Sequence, residues 1–152
     1  MAAVLIISAA VAYGYNAEQT RIKGMIFGDQ LQQIQEDLKS AQESFESQRV
    51  ILEEGDITRQ EFIEYTKMHV TQLEEMSSRY DDLNVPDSFA PSVELFELST
   101  TAQTESVREY LLWLETDDIS HQIRADGLLQ ESFEYELAAL TQFNAAKAGT
   151  AP

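Results

Sequence analysis

The stretch FGDQLQQIQEDLKSAQESF, residues 27–45, decides the fold class. Its apolar residues recur at alternating steps of four and three, which places them on one stripe of an α-helix and leaves glutamine and acidic residues on the wet face. Because a helix with one apolar stripe must bury it against other elements, partner helices are expected further along the chain. The stripe comprises Phe27, Leu31, Ile34, Leu38, Ala41 and Phe45.

A second helix follows a clear break. The sequence EEGD, residues 53–56, interrupts the first pattern, and Gly55 suits the left-handed position after a helix end. Thr58 and Glu61 have the spacing of a capping box, so the second helix is predicted to begin there. Its apolar stripe comprises Phe62, Thr66, His69, Leu73, Met76, Tyr80 and Leu83.

Two more helices are predicted after the segment DDLNVPDSFAP, residues 81–91, whose prolines break a helix. Asp87 or Ser88 is expected to cap the third helix, with Pro91 in its first turn. Asp117 or Asp118 is expected to cap the fourth. The third stripe comprises Val93, Phe96, Thr100, Val107, Tyr110 and Leu114, and the fourth Ile123, Leu129, Phe133, Leu137, Leu140 and Phe143.

Four such helices, of about 25 to 33 residues with short connections, predict an all-α fold. The economical arrangement is an antiparallel four-helix bundle over residues 17–147, in which the four stripes face inward. Residues 148–152 are expected to form a disordered tail. The alternative is a long helical hairpin that pairs with other chains.

Composition limits the function. The chain has 10 Lys and Arg residues against 27 Asp and Glu residues, a formal net charge of -17, and no cysteine. Such a surface repels the phosphates of nucleic acids, so no nucleic-acid partner is expected. Without cysteine, disulfides and thiolate metal sites are excluded. The acidic residues form either a solvated surface or a binding surface for a cationic partner or metal ions.

The beginning of the chain has a different character. Residues 2–15 carry no charge and would span about 21 Å as a helix, against a hydrocarbon core of about 30 Å. The stretch resembles a secretory signal, with a small-x-small site at Ala10-Val11-Ala12, but no basic residue precedes it. We therefore predict that residues 1–16 form a retained hydrophobic anchor that extends the first helix into the membrane.

The orientation of this anchor rests on two opposing signals. Arg21 and Lys23 directly after the apolar stretch would place the bundle in the cytoplasm by the positive-inside rule. The acidic bundle and the signal-like start favour the outside, which is our prediction. The expected partners are membrane lipid, through the anchor, and other membrane-protein subunits, because a short span is more stable beside other helices.

Catalytic and metal-binding motifs are scarce. The sequence has no Glu-x-x-His pair for a di-iron bundle and no nucleotide-binding or hydrolase motif, so we expect neither catalysis nor a bound cofactor. His69, with Met68 and Met76, offers the imidazole and thioether ligands that suit copper. The more ordinary interpretation is a core histidine and gap-filling methionines. His121, at a helix start, is expected to be solvated or to act as a cap.

Three segments, FGDQLQQIQEDLK (27–39), SVELFELST (92–100) and LLQESFEYELAALTQFNAAK (128–147), resemble small membrane-anchored helical proteins from ammonia-oxidising archaea. The resemblance implies the archaeal cell envelope as the setting. It also implies a host, the membrane-bound ammonia monooxygenase, a copper enzyme with small helical accessory subunits. It assigns no functional residue.

The sequence therefore predicts a non-catalytic accessory subunit of a membrane complex. The alternatives are a cation- or copper-binding helical module and a helical ligand sensor.

Overall fold

The computed structural model describes the backbone of residues 18–149 and the side chains of residues 23–149. Within this range it contains four α-helices, α1 (Glu18–Glu54), α2 (Arg59–Ser78), α3 (Ala90–Thr116) and α4 (Ile119–Lys147), a 3-10 turn at Asp87–Phe89 and no β-strand. The predicted all-α class is confirmed. The predicted anchor, residues 1–16, and the last three residues of the predicted tail lie outside the described residues. None of the helices over residues 18–149 is apolar over a stretch long enough to cross a bilayer.

Local signals set three of the helix boundaries as predicted. Gly55 adopts φ 82° after α1, a left-handed conformation that glycine enters without steric cost. The capping box forms at α2: the Glu61 amide donates to the Thr58 hydroxyl (3.2 Å), and the Thr58 amide donates to the Glu61 carboxylate (2.7 Å). Asp118 caps α4 by accepting a bond from the amide of Ser120 (2.9 Å).

The predicted cap of α3 is wrong. Asp87 lies in the 3-10 turn, Phe89 occupies the N-cap position, and no side chain caps the helix there. The Phe89 ring is fully buried against Phe27 of α1 (5.6 Å between ring centroids) and Phe143 of α4 (5.1 Å). Packing of this ring, rather than a polar cap, holds the turn that leads into α3. Pro91 lies in the first turn of the helix, as predicted.

The end of α2 also differs from the prediction. The helix ends at Ser78, and hydrogen-bonded turns carry the chain on to Leu83. Tyr80 nevertheless remains buried, because the turns keep its ring directed at the core. The second predicted stripe is therefore completed by a turn and not by helix.

Consecutive helices run antiparallel and lie side by side. Asp37 in α1 pairs with Arg79 at the end of α2 (2.5 Å), and Glu74 in α2 pairs with Arg108 in α3. Phe45 near the end of α1 lies on His69 of α2. The apolar stripes predicted for α1, α2 and α3 face inward and supply most of the core.

The contact between α3 and α4 is the closest in the described structure. The Ser99 and Ser132 hydroxyls each donate to the other's backbone carbonyl at 2.9 Å, and the Ser106 hydroxyl donates to the carbonyl of Ala125 at 2.7 Å. Small side chains allow two backbones to approach, and hydroxyls that bond to carbonyls satisfy the polar groups buried there. This small-residue seam comprises Ser92, Ser99 and Ser106 of α3 and Ala125, Ser132, Ala139 and Ala146 of α4.

The seam overturns the stripe predicted for α4. Ile123, Phe133 and Leu137 are exposed, and only Phe143 of the predicted set is fully buried. The reason is steric: α4 turns its small residues towards α3, so large side chains on the opposite side of the helix cannot reach the core. The inward face of α4 is therefore made of serine and alanine, and part of its large apolar surface remains in water.

Candidate functional site

The outer face of α4 is the most unusual surface of the described structure. Its large apolar side chains are strongly exposed: Ile119 by 59%, Ile123 by 66%, Phe133 by 39% and Leu137 by 64%. They form two pairs on one side of the helix, Ile119 with Ile123 and Phe133 with Leu137, and exposed apolar side chains grouped in this way are typical of a binding surface. With the exposed Asp126 and Gln130 between them, these residues follow steps of four and three, and we call this set the outer stripe.

The basic Arg124 of α4 is bound to an acidic residue of α3. Arg124 donates to Glu109 of α3 (3.0 Å), and His121 Nδ1 lies 2.6 Å from the other oxygen of the same carboxylate. The hydrogen bond from His121, with that from Arg124, holds the pKa of Glu109 below its ordinary value. The basic residue is thus bound on the α3 side of the helix. Asp126, within the outer stripe, and Glu134 beside it add negative charge to the outer face.

A second polar region lies inside the bundle. The Gln35 amide of α1 donates to the Tyr80 hydroxyl (2.7 Å), which lies 3.2 Å from the Thr100 hydroxyl of α3. Burial is the main cause that raises the pKa of Tyr80 to about 12, so its hydroxyl keeps its proton. Glu136 of α4 is half-buried nearby, and desolvation raises its pKa as well.

This polar region borders a small cavity between α1, α3 and α4. The cavity measures about 30 Å³ and is lined in part by Gln35, Thr100, Ser132 and Glu136. A volume of this size accommodates a water molecule, whereas organic ligands occupy several hundred Å³. The geometry therefore fits a hydrated polar layer that fixes how the helices meet.

The predicted metal-binding side chains lie apart. His69 is 3% exposed, while its neighbour Met68 points outward with 65% of its surface exposed. Met76 is buried two helical turns from His69, a rise of about 10 Å along α2. His121 is bound to Glu109. Across the described residues, no group of three or more His, Asp or Glu side chains is placed to hold a metal ion.

His69 instead belongs to an aromatic cluster. Its ring stacks on Phe45, with centroids 4.6 Å apart and planes 14° apart, and lies parallel to Tyr65. Burial lowers the pKa of His69 to about 4, and Gln72 offsets this only in part. The imidazole is therefore neutral at pH 7, and its buried Nδ1 has no hydrogen-bond partner among the described residues.

Comparison with known proteins adds no further residues. No protein-family model, no curated protein and no solved structure matches the chain. The resemblance to helical proteins of ammonia-oxidising archaea therefore stays a prediction, and any role for a residue must be argued from the geometry above.

The sequence pattern identifies only part of the outer stripe and places that part on the buried side of α4. Three of its residues, Ile123, Phe133 and Leu137, belong to the predicted core stripe, and Ile119 was not included. A seven-residue repeat of small residues, such as Ser99 and Ser106 of α3, is typical of closely packed helices. This repeat is the signal that predicts the buried side of α4 correctly. A repeat of large side chains alone does not say which side of a helix is buried.

Proposed function

We propose that the protein is a non-catalytic accessory subunit of a membrane complex, held by residues 1–16, with its helical bundle outside the cytoplasm. The observation that carries this proposal is the outer stripe of α4. Four large apolar side chains on one exposed helix face are costly in water and gain free energy when another chain covers them. Helices with such a face are a common means of docking between proteins.

The start of α1 supports the tether. Met25 and Ile26 are about half exposed, at the end of the bundle that continues into the uncharged residues 2–15. Apolar side chains at this end suit the boundary between a membrane anchor and a bundle, where they meet the interfacial region. The resemblance to proteins of ammonia-oxidising archaea adds the archaeal envelope as the setting and ammonia monooxygenase as the host.

Native mass spectrometry of the full chain, extracted from membranes with a mild detergent, tests this function. We expect the wild-type protein to appear in an assembly that contains other polypeptides in addition to the 17.2 kDa chain. The double substitution Ile123→Ser with Leu137→Ser should release the chain, because it removes the apolar surface that drives assembly. Met68→Ser, an equally exposed apolar residue on α2, is the matched control and should leave the assembly intact.

Two outcomes would contradict the proposal. Wild-type protein that is a monomer, or a dimer of this chain without any other subunit, would contradict the membrane complex. A chain that stays in the soluble fraction of the cell extract would contradict the membrane anchor.

A further inference from the structure

The outer stripe is arranged symmetrically about its own centre. Read in either direction along the chain, it has two large apolar residues, two polar residues and two large apolar residues. Their sequence positions are equally far before and after Leu128, which is the midpoint of the stripe but not part of it. We propose that a second copy of this chain covers the outer stripe, with the two α4 helices antiparallel about a two-fold axis near Leu128. The inference rests on the proposed function, since it uses the same surface, and it adds that the accessory subunit is a dimer of this chain within its complex. In order, the stripe is Ile119, Ile123, Asp126, Gln130, Phe133 and Leu137.

Antiparallel pairing makes the stripe self-complementary. Ile119 meets Leu137 of the second copy, and Ile123 meets Phe133, so each large apolar residue is covered by another. Asp126 meets Gln130, whose amide N–H donates to the carboxylate, so no acid faces an acid in the middle of the contact. Such a polar layer between apolar layers also fixes the register of two helices.

Gly127 gives independent support from within α4. A glycine in the middle of a helix destabilises it relative to alanine, and it is normally kept where something approaches closely. No contact among the described residues explains this one, because a Cβ at Gly127 would meet no atom within 4 Å other than the backbone of its own helical turn and its chain neighbours. It lies on the flank of the stripe, at the middle of its length and beside Ile123 and Gln130, where the absence of a side chain lets a second helix approach.

Charge decides how this dimer should respond to salt. Two chains of net charge -17 repel each other, so added salt should strengthen the dimer by screening. A cationic helix on the same stripe would behave in the opposite way, since salt weakens attraction between unlike charges. The sign of the salt dependence therefore separates the second copy from a basic partner.

Disulfide trapping tests the arrangement directly, because the chain has no cysteine of its own. Ile119→Cys and Leu137→Cys are made separately in the full chain in detergent, one with a tag that changes its mass, and are oxidised alone and as a mixture. We expect a disulfide-linked dimer from the mixture and none from either variant oxidised alone. In the antiparallel dimer the two copies of position 119 are separated by about 27 Å, whereas a disulfide requires Cα atoms within about 7 Å.

Met68→Cys, equally exposed on α2, is the control and should not cross-link. The inference is overturned if the mixed disulfide is no more abundant than the Met68→Cys product, or if Ile119→Cys alone cross-links efficiently, which would mean parallel pairing. It is also overturned if a different protein occupies the stripe, although the accessory function would then stand. A dimer without any other subunit would support the inference and contradict the accessory function.

Sedimentation velocity of the full chain in detergent adds the energetic test. We expect the dimer fraction to rise as NaCl increases from about 0.05 to about 1 M. Leu137→Ser should weaken the dimer about a hundredfold, because each dimer buries two copies of the residue. A dimer that weakens as salt increases, or that Leu137→Ser leaves unchanged, would overturn the inference.

Discussion

At the scale of single residues, His69 shows how burial in the core keeps an ionisable side chain uncharged. The imidazole stacks on Phe45, and its burial away from water keeps it neutral. Its Nδ1 has no hydrogen-bond partner among the described residues. A buried polar atom of this kind costs stability. The residue therefore behaves as a flat core side chain, whose protonation opposes folding, and not as a ligand.

His69→Phe should remove the loss of stability that protonation of His69 causes as the pH falls. The folded-state pKa of about 4 lies below the unfolded value of about 6.5, so the unfolded chain binds more protons as the pH falls below 6.5. From pH 7 to pH 5 the wild-type protein should lose about 2 kcal/mol of unfolding free energy relative to the variant. Urea unfolding at both pH values measures this difference. The comparison cancels the opposite effect of carboxyls such as Glu136, whose pKa burial raises.

The other histidine provides the control for this prediction. His121 is bound to Glu109 near the surface, so His121→Phe should not abolish the loss of stability between pH 7 and pH 5. Equal pH profiles for wild type and His69→Phe would contradict the assignment of His69 as a neutral core group.

At the scale of elements, helix boundaries depend on short signals and helix faces on neighbours. The capping box at Thr58 and the left-handed Gly55 operate within a few residues, and both could be read from the sequence. The inward face of α4 depends on the serines of α3, which are distant in sequence. Each kind of feature leads to a separate prediction.

Thr58→Ala should destabilise the protein by about 1 kcal/mol, because it removes a hydroxyl that satisfies the first turn of α2. Urea unfolding followed by circular dichroism measures the loss. Thr101→Ala, at an exposed position within α3, is the control and should change stability by less than about 0.5 kcal/mol. Equal effects of the two substitutions would argue against the cap.

Ser132→Leu should cost about 1 to 3 kcal/mol or more, since the larger side chain forces α3 and α4 apart and removes the paired hydrogen bonds to Ser99. Ser44→Leu, at an exposed position of α1, should be nearly neutral. Thermal unfolding of both variants tests the seam. A Ser132→Leu protein as stable as the Ser44→Leu protein would show that the helices do not meet so closely.

At the scale of the whole molecule, the acidic surface opposes the compact state. The chain has 27 acidic side chains against 10 basic ones, so repulsion is not balanced by ion pairs such as Asp37–Arg79. Bringing these charges together on a folded surface raises the free energy of the native state. The apolar core and the α3–α4 seam must offset this term.

Salt should therefore stabilise the bundle. Raising NaCl from about 0.05 to about 1 M shortens the Debye length from over 10 Å to about 3 Å and should raise the midpoint of urea unfolding. Replacing the exposed Glu43, Glu75 and Glu94 by glutamine should stabilise the protein at low salt and reduce its response to salt. A midpoint that falls as salt is added would mean that ion pairs, and not repulsion, dominate.

The sequence alone determined the class of the fold, the helix starts at Thr58 and at Asp117 or Asp118, and the buried stripes of the first three helices. These features follow from local hydrogen bonding and from the period of apolar residues, both of which act over a few residues. Only the tertiary structure decided which side of α4 is buried. Packing depends on how closely two backbones approach, and there Ser99 and Ser132 outweigh larger side chains, leaving Ile123 and Leu137 on the surface.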